Sequence, residues 1–265
     1  MSSIQSTQST QSHSFIHQSI INIDDIKTAL EKHKNTVFKI HYTKKDLECI
    51  AKIDISKGKA YSHYGDIADC NPEMFFKEIG NNDSKNIETL CKIISKLVKA
   101  VCKGYETKHA WIDIRVKKPN DDFDIPRWHM DGNFFMNTPE DRKQIQSKFV
   151  TVLRGDGTLM VSATKKEKEE YQRIMKANRP KTEEEADKFY QDEQKQMELR
   201  IKTNKVFENK KVKQLKNNEG LIFIVGNLDK ALIHSEPPMH SLRMFISILP
   251  GTAEQIAGLK KRWNR

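Results

Sequence analysis

From residue 110 to residue 249 the chain falls into short apolar runs, at 110–116, 148–153, 158–161, 221–225, 231–234 and 243–249, each bounded by Gly, Pro, Asn or Asp. Runs this short cannot be helices of ordinary length, and turn residues between them favour strands that pair antiparallel. They predict a mainly β chain with flanking helices, of the sandwich or jelly-roll kind. The stretch 165–218 interrupts the pattern with two charge-rich helical segments, separated by Arg179-Pro180 and restarted by the capping-box sequence Thr182-Glu-Glu-Glu185. It reads as a helical insertion, with Ala186, Phe189, Tyr190, Met197 and Ile201 forming an incomplete apolar stripe suited to a sheet edge.

Ahead of the strand-rich region, residues 1–19 form a Ser/Thr/Gln tract too polar to offset the entropy of ordering it, and are expected to be a disordered tail. Residues 20–265 are expected to form a single domain. Alternating residues at 37–42 and 49–55 predict two strands, and 24–32 a short helix. A longer helix is predicted from Ser84 as N-cap to Lys103, closed by Gly104. Its apolar residues Ile87, Leu90, Ile94, Leu97, Val98 and Val101 recur at helical spacing, which makes Cys91 and Cys102 packing residues.

Four cysteines without a Cys-x-x-Cys pair, and the lack of a signal-peptide pattern, point to a reducing compartment, cytoplasmic or nuclear, and away from secretion. No apolar run approaches the ~20 residues of a bilayer span. The surplus of 46 Lys+Arg over 36 Asp+Glu, 46 − 36 = +10, allows nucleic acid or an acidic partner but equally serves solubility. The basic clusters at 210–213 and 260–265 lack the flanking aromatic-rich strands of common RNA modules and read as solvated or weakly phosphate-seeking.

The informative segment is Arg127-Trp-His-Met-Asp-Gly132. On a strand, residues i and i+2 share a face about 7 Å apart, so His129 and Asp131 would present an imidazole and a carboxylate side by side. Downstream, His234 closes one apolar run, a Pro-Pro turn follows, and Arg243 opens the next run nine residues later. Two histidines and a carboxylate make the facial triad of non-haem Fe(II) oxygenases, which leaves coordination positions open. A buried arginine near such a metal calls for a carboxylate partner, and its planar fork suits bidentate pairing.

His129-x-Asp131, His234 and Arg243, in that order, resemble the signature of the 2-oxoglutarate and Fe(II)-dependent oxygenase superfamily over residues 110–251. The resemblance implies a double-stranded β-helix (jelly-roll) core in which His129, Asp131 and His234 hold iron while Arg243 binds the distal carboxylate of 2-oxoglutarate. It further implies a dioxygenase that uses O2, with ascorbate in a supporting role, and couples oxidative decarboxylation of 2-oxoglutarate to hydroxylation or demethylation of a substrate. Asp131 stands where halogenating members carry a small residue.

Two departures from the pattern matter: the long separation between Asp131 and His234, which the insertion would account for, and Arg243-Met-Phe in place of Arg-x-Ser. Ser241 or Ser247 is the candidate hydroxyl beside Arg243, and His240 is a rival third ligand. Gly155-Asp-Gly157 reads first as a hairpin turn; alternatively, Arg154 or Thr158 lines the co-substrate site. Trp128, Asn133, Phe134 and Phe135 are candidates for the substrate wall, against ordinary core packing. Glu236 reads as a loop carboxylate, with a hydrogen-bond acceptor supporting the site as the alternative. Charge and insertion incline toward a protein or nucleic-acid substrate. The competing expectations are a non-catalytic basic β-sandwich that binds nucleic acid, and a cupin-type metalloenzyme that leaves Arg243 without a diacid.

Overall fold

The computed structural model describes residues 19–120 and 124–263, so the expected tail lies almost entirely outside the described residues. The N-terminal third contributes helix α1 (Ile23–Glu31), strand β1 (Thr36–Lys39), helix α2 (Lys44–Lys52), strand β2 (Lys59–Asp66), and helices α3 (Glu73–Glu78) and α4 (Ser84–Gly104). Strand β3 (His109–Lys117), the short helix α5 (Pro139–Lys143), and strands β4 (Gln146–Arg154) and β5 (Leu159–Val161) follow. Three helices, α6 (Lys165–Asn178), α7 (Glu183–Gln191) and α8 (Glu193–Phe207), separate β5 from β6 (Lys213–Gln214). Strands β7 (Glu219–Val225), β8 (Ile233–Ser235) and β9 (Arg243–Gly251) and helix α9 (Ala253–Trp263) complete the chain.

A six-stranded antiparallel sheet has the order β1-β7-β4-β9-β3-β2, and a second sheet has the order β6-β5-β8. An isolated antiparallel bridge, His129 to His234, adds the residue-129 segment to the free side of β8. From β3 onward the chain therefore alternates between sheets, except that β5 and β6 follow one another in the smaller one. The larger sheet is apolar on one face, where Ile112, Ile114, Val116, Ile246 and Ile248 meet Leu90, Ile94, Leu97 and Val101 of α4. Period-2 alternation sends Trp111, Asp113, Arg115 and Lys117 of β3, with Arg243, Phe245 and Ser247 of β9, to the opposite face.

Several local expectations change. Residues 49–52 belong to helix α2 and not to a strand, because Thr43 and Asp46 form a reciprocal capping box and Asp46, Cys49 and Ile50 are buried at helical spacing. Asp83, one residue before Ser84, accepts the N-terminal hydrogen bond of α4. Gly104 is the last helical residue, and Glu106 takes the left-handed conformation at φ 56°. The predicted double segment of the insertion is three helices, because Asp192 both ends α7 and caps α8. Strand β2 and helix α9 were not expected at all.

Gly155-Asp-Gly157 is not a hairpin, since β4 and β5 lie in different sheets. It is a crossover. Gly155 has φ +88°, and a Cβ there would stand 2.4 Å from the Leu242 carbonyl oxygen.

At Gly104 an added Cβ would lie 2.3 Å from Cγ2 of Ile26, so the glycine is needed for the close approach of α1 to α4. Helix propensity alone makes Gly104→Ala stabilising by roughly 1 kcal/mol, whereas overpacking costs about 1–3 kcal/mol. Urea denaturation of G104A is expected to show net destabilisation; a raised midpoint would contradict this packing.

Candidate metal and diacid site

The bridge between residues 129 and 234 is a reciprocal pair: His129 N–H donates to the His234 carbonyl at 2.8 Å and His234 N–H to the His129 carbonyl at 3.0 Å. Directly opposed residues project to one side of a sheet, so the two imidazole centroids stand 4.2 Å apart. Asp131 is held close by Gly226 N–H, which donates to its carbonyl at 2.8 Å. One donor atom from each of His129, Asp131 and His234 falls within 4.8 Å of the others.

The imidazoles are oriented by their neighbours. Nδ1 of His129 lies 2.9 Å from the Arg127 carbonyl, and Nδ1 of His234 lies 3.2 Å from the Leu232 carbonyl. A carbonyl oxygen only accepts, so each Nδ1 carries the proton and each Nε2 presents a lone pair. Both Nε2 atoms stand 3.8 Å from Asp131, His129 at Oδ1 and His234 at Oδ2. Burial, then the neighbouring His129, push the His234 ring down to about 3 against the pull of Asp131. Burial likewise lowers His129. Burial alone would raise the Asp131 carboxyl, but Lys148 and the two imidazoles outweigh it and hold it at about 2. Two neutral nitrogens and one carboxylate are a donor set suited to a divalent first-row ion.

Lys148 of β4 was not anticipated. Its Nζ is 2.5 Å from Asp131 Oδ2 and 5.2 Å from the ring centroids of both Phe134 and Phe223. A lone lysine among apolar residues has no sequence signal; only the pairing of β4 with β7 and β9 points it inward. Oδ2 is buried against this ammonium, which leaves Oδ1 on the His129 side as the oxygen more open to a cation.

The three residues open into a pocket of about 380 Å³ that Arg243, Thr158, Ser247 and Asn133 also line. Arg243 is 3% exposed. Its Nε donates to the Asp156 carbonyl at 2.8 Å and one terminal nitrogen to Thr158 Oγ1 at 3.3 Å, while its carbon lies 4.9 Å over the Phe245 ring. Burial lowers the guanidinium to about 10, opposed by Glu236 and Asp156, so it stays charged at neutral pH. Among the described residues no carboxylate pairs with it within 4.0 Å. A buried cation facing a pocket with only neutral acceptors is an anion site.

Thr158 is thus the hydroxyl beside Arg243. Ser247 lines the pocket from the same strand, whereas Ser241 is exposed and outside it. Arg154 turns away, its guanidinium donating to the Ile53 carbonyl. His240 is exposed beside Asp124 and takes no part in the cluster. Trp128, expected in the substrate wall, instead docks the insertion: Nε1 donates to Asn204 at 3.1 Å and the indole packs edge-on against Phe207. Phe135 is buried in the core and lines a different cavity, so Phe134, with Trp111, Phe245 and Trp263, forms the aromatic wall. Glu236 is more than a loop carboxylate. It binds Lys117 at 2.7 Å and lies 3.9 Å from Arg127, and these cations hold it ionised down to about 2 against its burial.

No protein-family model and no curated protein matches the chain. Among solved structures it is similar to the Kdo hydroxylase KdoO, a non-heme Fe(II) alphaketoglutarate-dependent dioxygenase, at 9% identity over 90% of this chain and 86% of that one, TM-score 0.47. It is also similar to a Pseudomonas putida prolyl-4-hydroxylase at 10% identity over 86% and 97%, TM-score 0.36. A Trichoplax adhaerens prolyl hydroxylase solved with a hypoxia inducible factor peptide shows 9% identity over 89% and 91%, TM-score 0.39.

The pH dependence of the metal-free protein follows from the imidazoles. His234 sits at about 3 when folded and near 6.5 when unfolded, so between these values the unfolded state binds the extra proton and stability falls as pH falls. Asp131, at about 2 when folded, adds to the loss only below its unfolded value of about 3.9. Denaturation of the metal-free protein is expected to become steadily easier from pH 6.5 to 5, with a flatter profile in His234→Gln. A flat wild-type profile would contradict the burial of a neutral imidazole.

Proposed function

We propose that the chain is an Fe(II)- and 2-oxoglutarate-dependent oxygenase, with iron held by His129, Asp131 and His234. The observation that carries this reading is the pairing, in one pocket, of a His/Asp/His donor set with a buried arginine that has no carboxylate partner among the described residues. Neither half alone is as informative. A metal site without the arginine would suit a cupin-type enzyme, and an arginine without the metal site would be a generic anion pocket. The alternation of the chain between two sheets from β3 to β9 supports a double-stranded β-helix, with the metal residues on the smaller sheet and Arg243 on the larger.

With the metal and 2-oxoglutarate bound, their chemistry is the activation of O2 and oxidation of a substrate C–H bond, with release of succinate and CO2. The protein's part is preorganisation. Thr158 and the Asp156 carbonyl fix the Arg243 fork, so the distal carboxylate of the diacid meets a donor whose orientation is already set. Arg127 and Leu232 carbonyls fix both imidazole tautomers, and Lys148 restrains Asp131. Trp111, Phe134 and Phe245 line the wall and limit water. Asn133 and Ser247 are proposed as polar contacts to substrate and co-substrate, respectively.

Purified protein supplied with Fe(II), ascorbate and 2-oxoglutarate is expected to release succinate and CO2, and His129→Ala to abolish this. Arg243→Met is expected to raise the 2-oxoglutarate requirement at least tenfold while metal binding, read by calorimetry with Mn(II), stays within about twofold. Loss of a charge-assisted bidentate contact is worth about 1.5–3 kcal/mol, or more than tenfold. Absence of iron binding together with absence of succinate release would overturn the assignment. Metal binding with indifference to Arg243 would favour the cupin-type alternative.

A further inference from the structure

The pocket does not end at the metal residues. Arg127 and Glu236 belong to its lining and also to that of an adjoining groove of about 430 Å³, whose other charged residues are Lys117, Lys118 and Arg200. Among the described residues of the groove four cations face Glu236, which is already shared between Lys117 and Arg127. Arg200 comes from α8 and donates to the Ile125 carbonyl at 3.4 Å, so the insertion supplies one side of the groove.

Strand β3 links this groove to the opposite end of the pocket. Its pocket-facing residues run Trp111, Asp113, Arg115, Lys117. At about 3.3 Å per residue this floor is roughly 20 Å long. At the Trp111 end, helix α9 places Trp263 in the pocket lining, its ring centroid 5.1 Å from Trp111, yet 53% exposed. Lys260 and Lys261 precede it on the same helix and are exposed, while Arg262 is tied to Asn137 and the Phe134 carbonyl. Cations therefore line one end of the opening, and at the other a half-exposed indole sits on a helix that also carries the exposed Lys260 and Lys261.

We propose that this opening binds single-stranded nucleic acid, with Lys117, Lys118 and Arg127 contacting phosphates on one side, Lys260 and Lys261 on the other, and Trp263 stacking a base. Cations alone would accept an acidic peptide equally well. The exposed indole beside them favours a polynucleotide, whose bases offer a flat face at every step. An unpaired strand is favoured over a duplex because His234 is buried, so a base reaches the metal residues only if it is out of its stack. The proposal rests on the oxygenase assignment for the chemistry but not for the binding, which needs no iron.

The test is fluorescence anisotropy of labelled 12-nucleotide RNA and DNA single strands, the corresponding duplex, and polyglutamate of equal length, with full-length protein in EDTA. Single strands are expected to bind more tightly than duplex or polyglutamate and to weaken steeply from 50 to 200 mM salt. Lys118→Glu combined with Lys261→Glu should weaken binding at least tenfold. Trp263→Ala should weaken it by about fivefold or more, the loss of one stacked base. The same charge reversal at Lys96 and Lys99, exposed on α4 across the sheet, should change it less than threefold.

Equal loss in that control, preference for polyglutamate, or indifference to Lys118, Lys261 and Trp263 would each overturn the proposal. Succinate release measured on the same preparations reports separately on the oxygenase assignment. If binding fails while release persists, only the substrate class is lost.

Discussion

Two backbone hydrogen bonds between His129 and His234 hold the candidate site together. The residues are more than a hundred positions apart, and neither lies in a long strand. Opposed in one antiparallel bridge, they present both imidazoles to one side, where Asp131, two residues along, completes the donor set. The chelate is thus a consequence of strand register. A one-residue slip of β8 would send the His234 ring to the other face and leave the pair unmade.

The polar pocket exists because strands β3 and β9 carry different chemistry on their two faces. Isoleucines and valines on one face pack against α4 and anchor the sheet. The other face holds Asp113, Arg115, Lys117, Arg243 and Ser247, a concentration of charge that burial would make unfavourable without partners. Most of these charges are paired: Arg115 with Asp113 at 2.6 Å, Lys117 with Glu236 and Lys148 with Asp131. Arg243 is the exception, with neutral acceptors fixing its orientation and, among the described residues, no carboxylate in ion-pair contact with it. The crossover glycines admit this arrangement, since Gly155 lets the β4–β5 connection run against Leu242 and Arg243 and bring the Asp156 carbonyl to Nε.

Much of this was legible in the sequence where a residue's chemistry and its periodicity agreed. The runs that form β3, β4, β7 and β9 are apolar and bounded by turn residues, and His129, Asp131, His234 and Arg243 stood out because imidazole, carboxylate and guanidinium are unusual company beside such runs. Residues 49–55 misled because their alternation mimics a strand, while the deciding signal, the Thr43–Asp46 capping box, lies upstream. Strand β2, with sequence KAYSHYGD, has too few buried residues to announce itself, and its place is set by pairing along the whole of β3. Lys148, Trp263 and the groove cations were illegible for a different reason. Their roles depend on which strands and helices meet, so a lysine in an apolar run or a tryptophan near a chain end carries meaning only once the pocket is assembled.

The account stands or falls on whether the pocket takes a metal and a diacid together. An anaerobic titration of the metal-free protein with Fe(II) and 2-oxoglutarate, followed by visible absorption, tests this most directly, because charge transfer from iron to a chelated 2-oxo acid gives a band that neither component gives alone. One equivalent of each is expected to saturate the band, and His234→Ala to eliminate it. No band in the wild-type protein, or an undiminished band in the variant, would contradict the account.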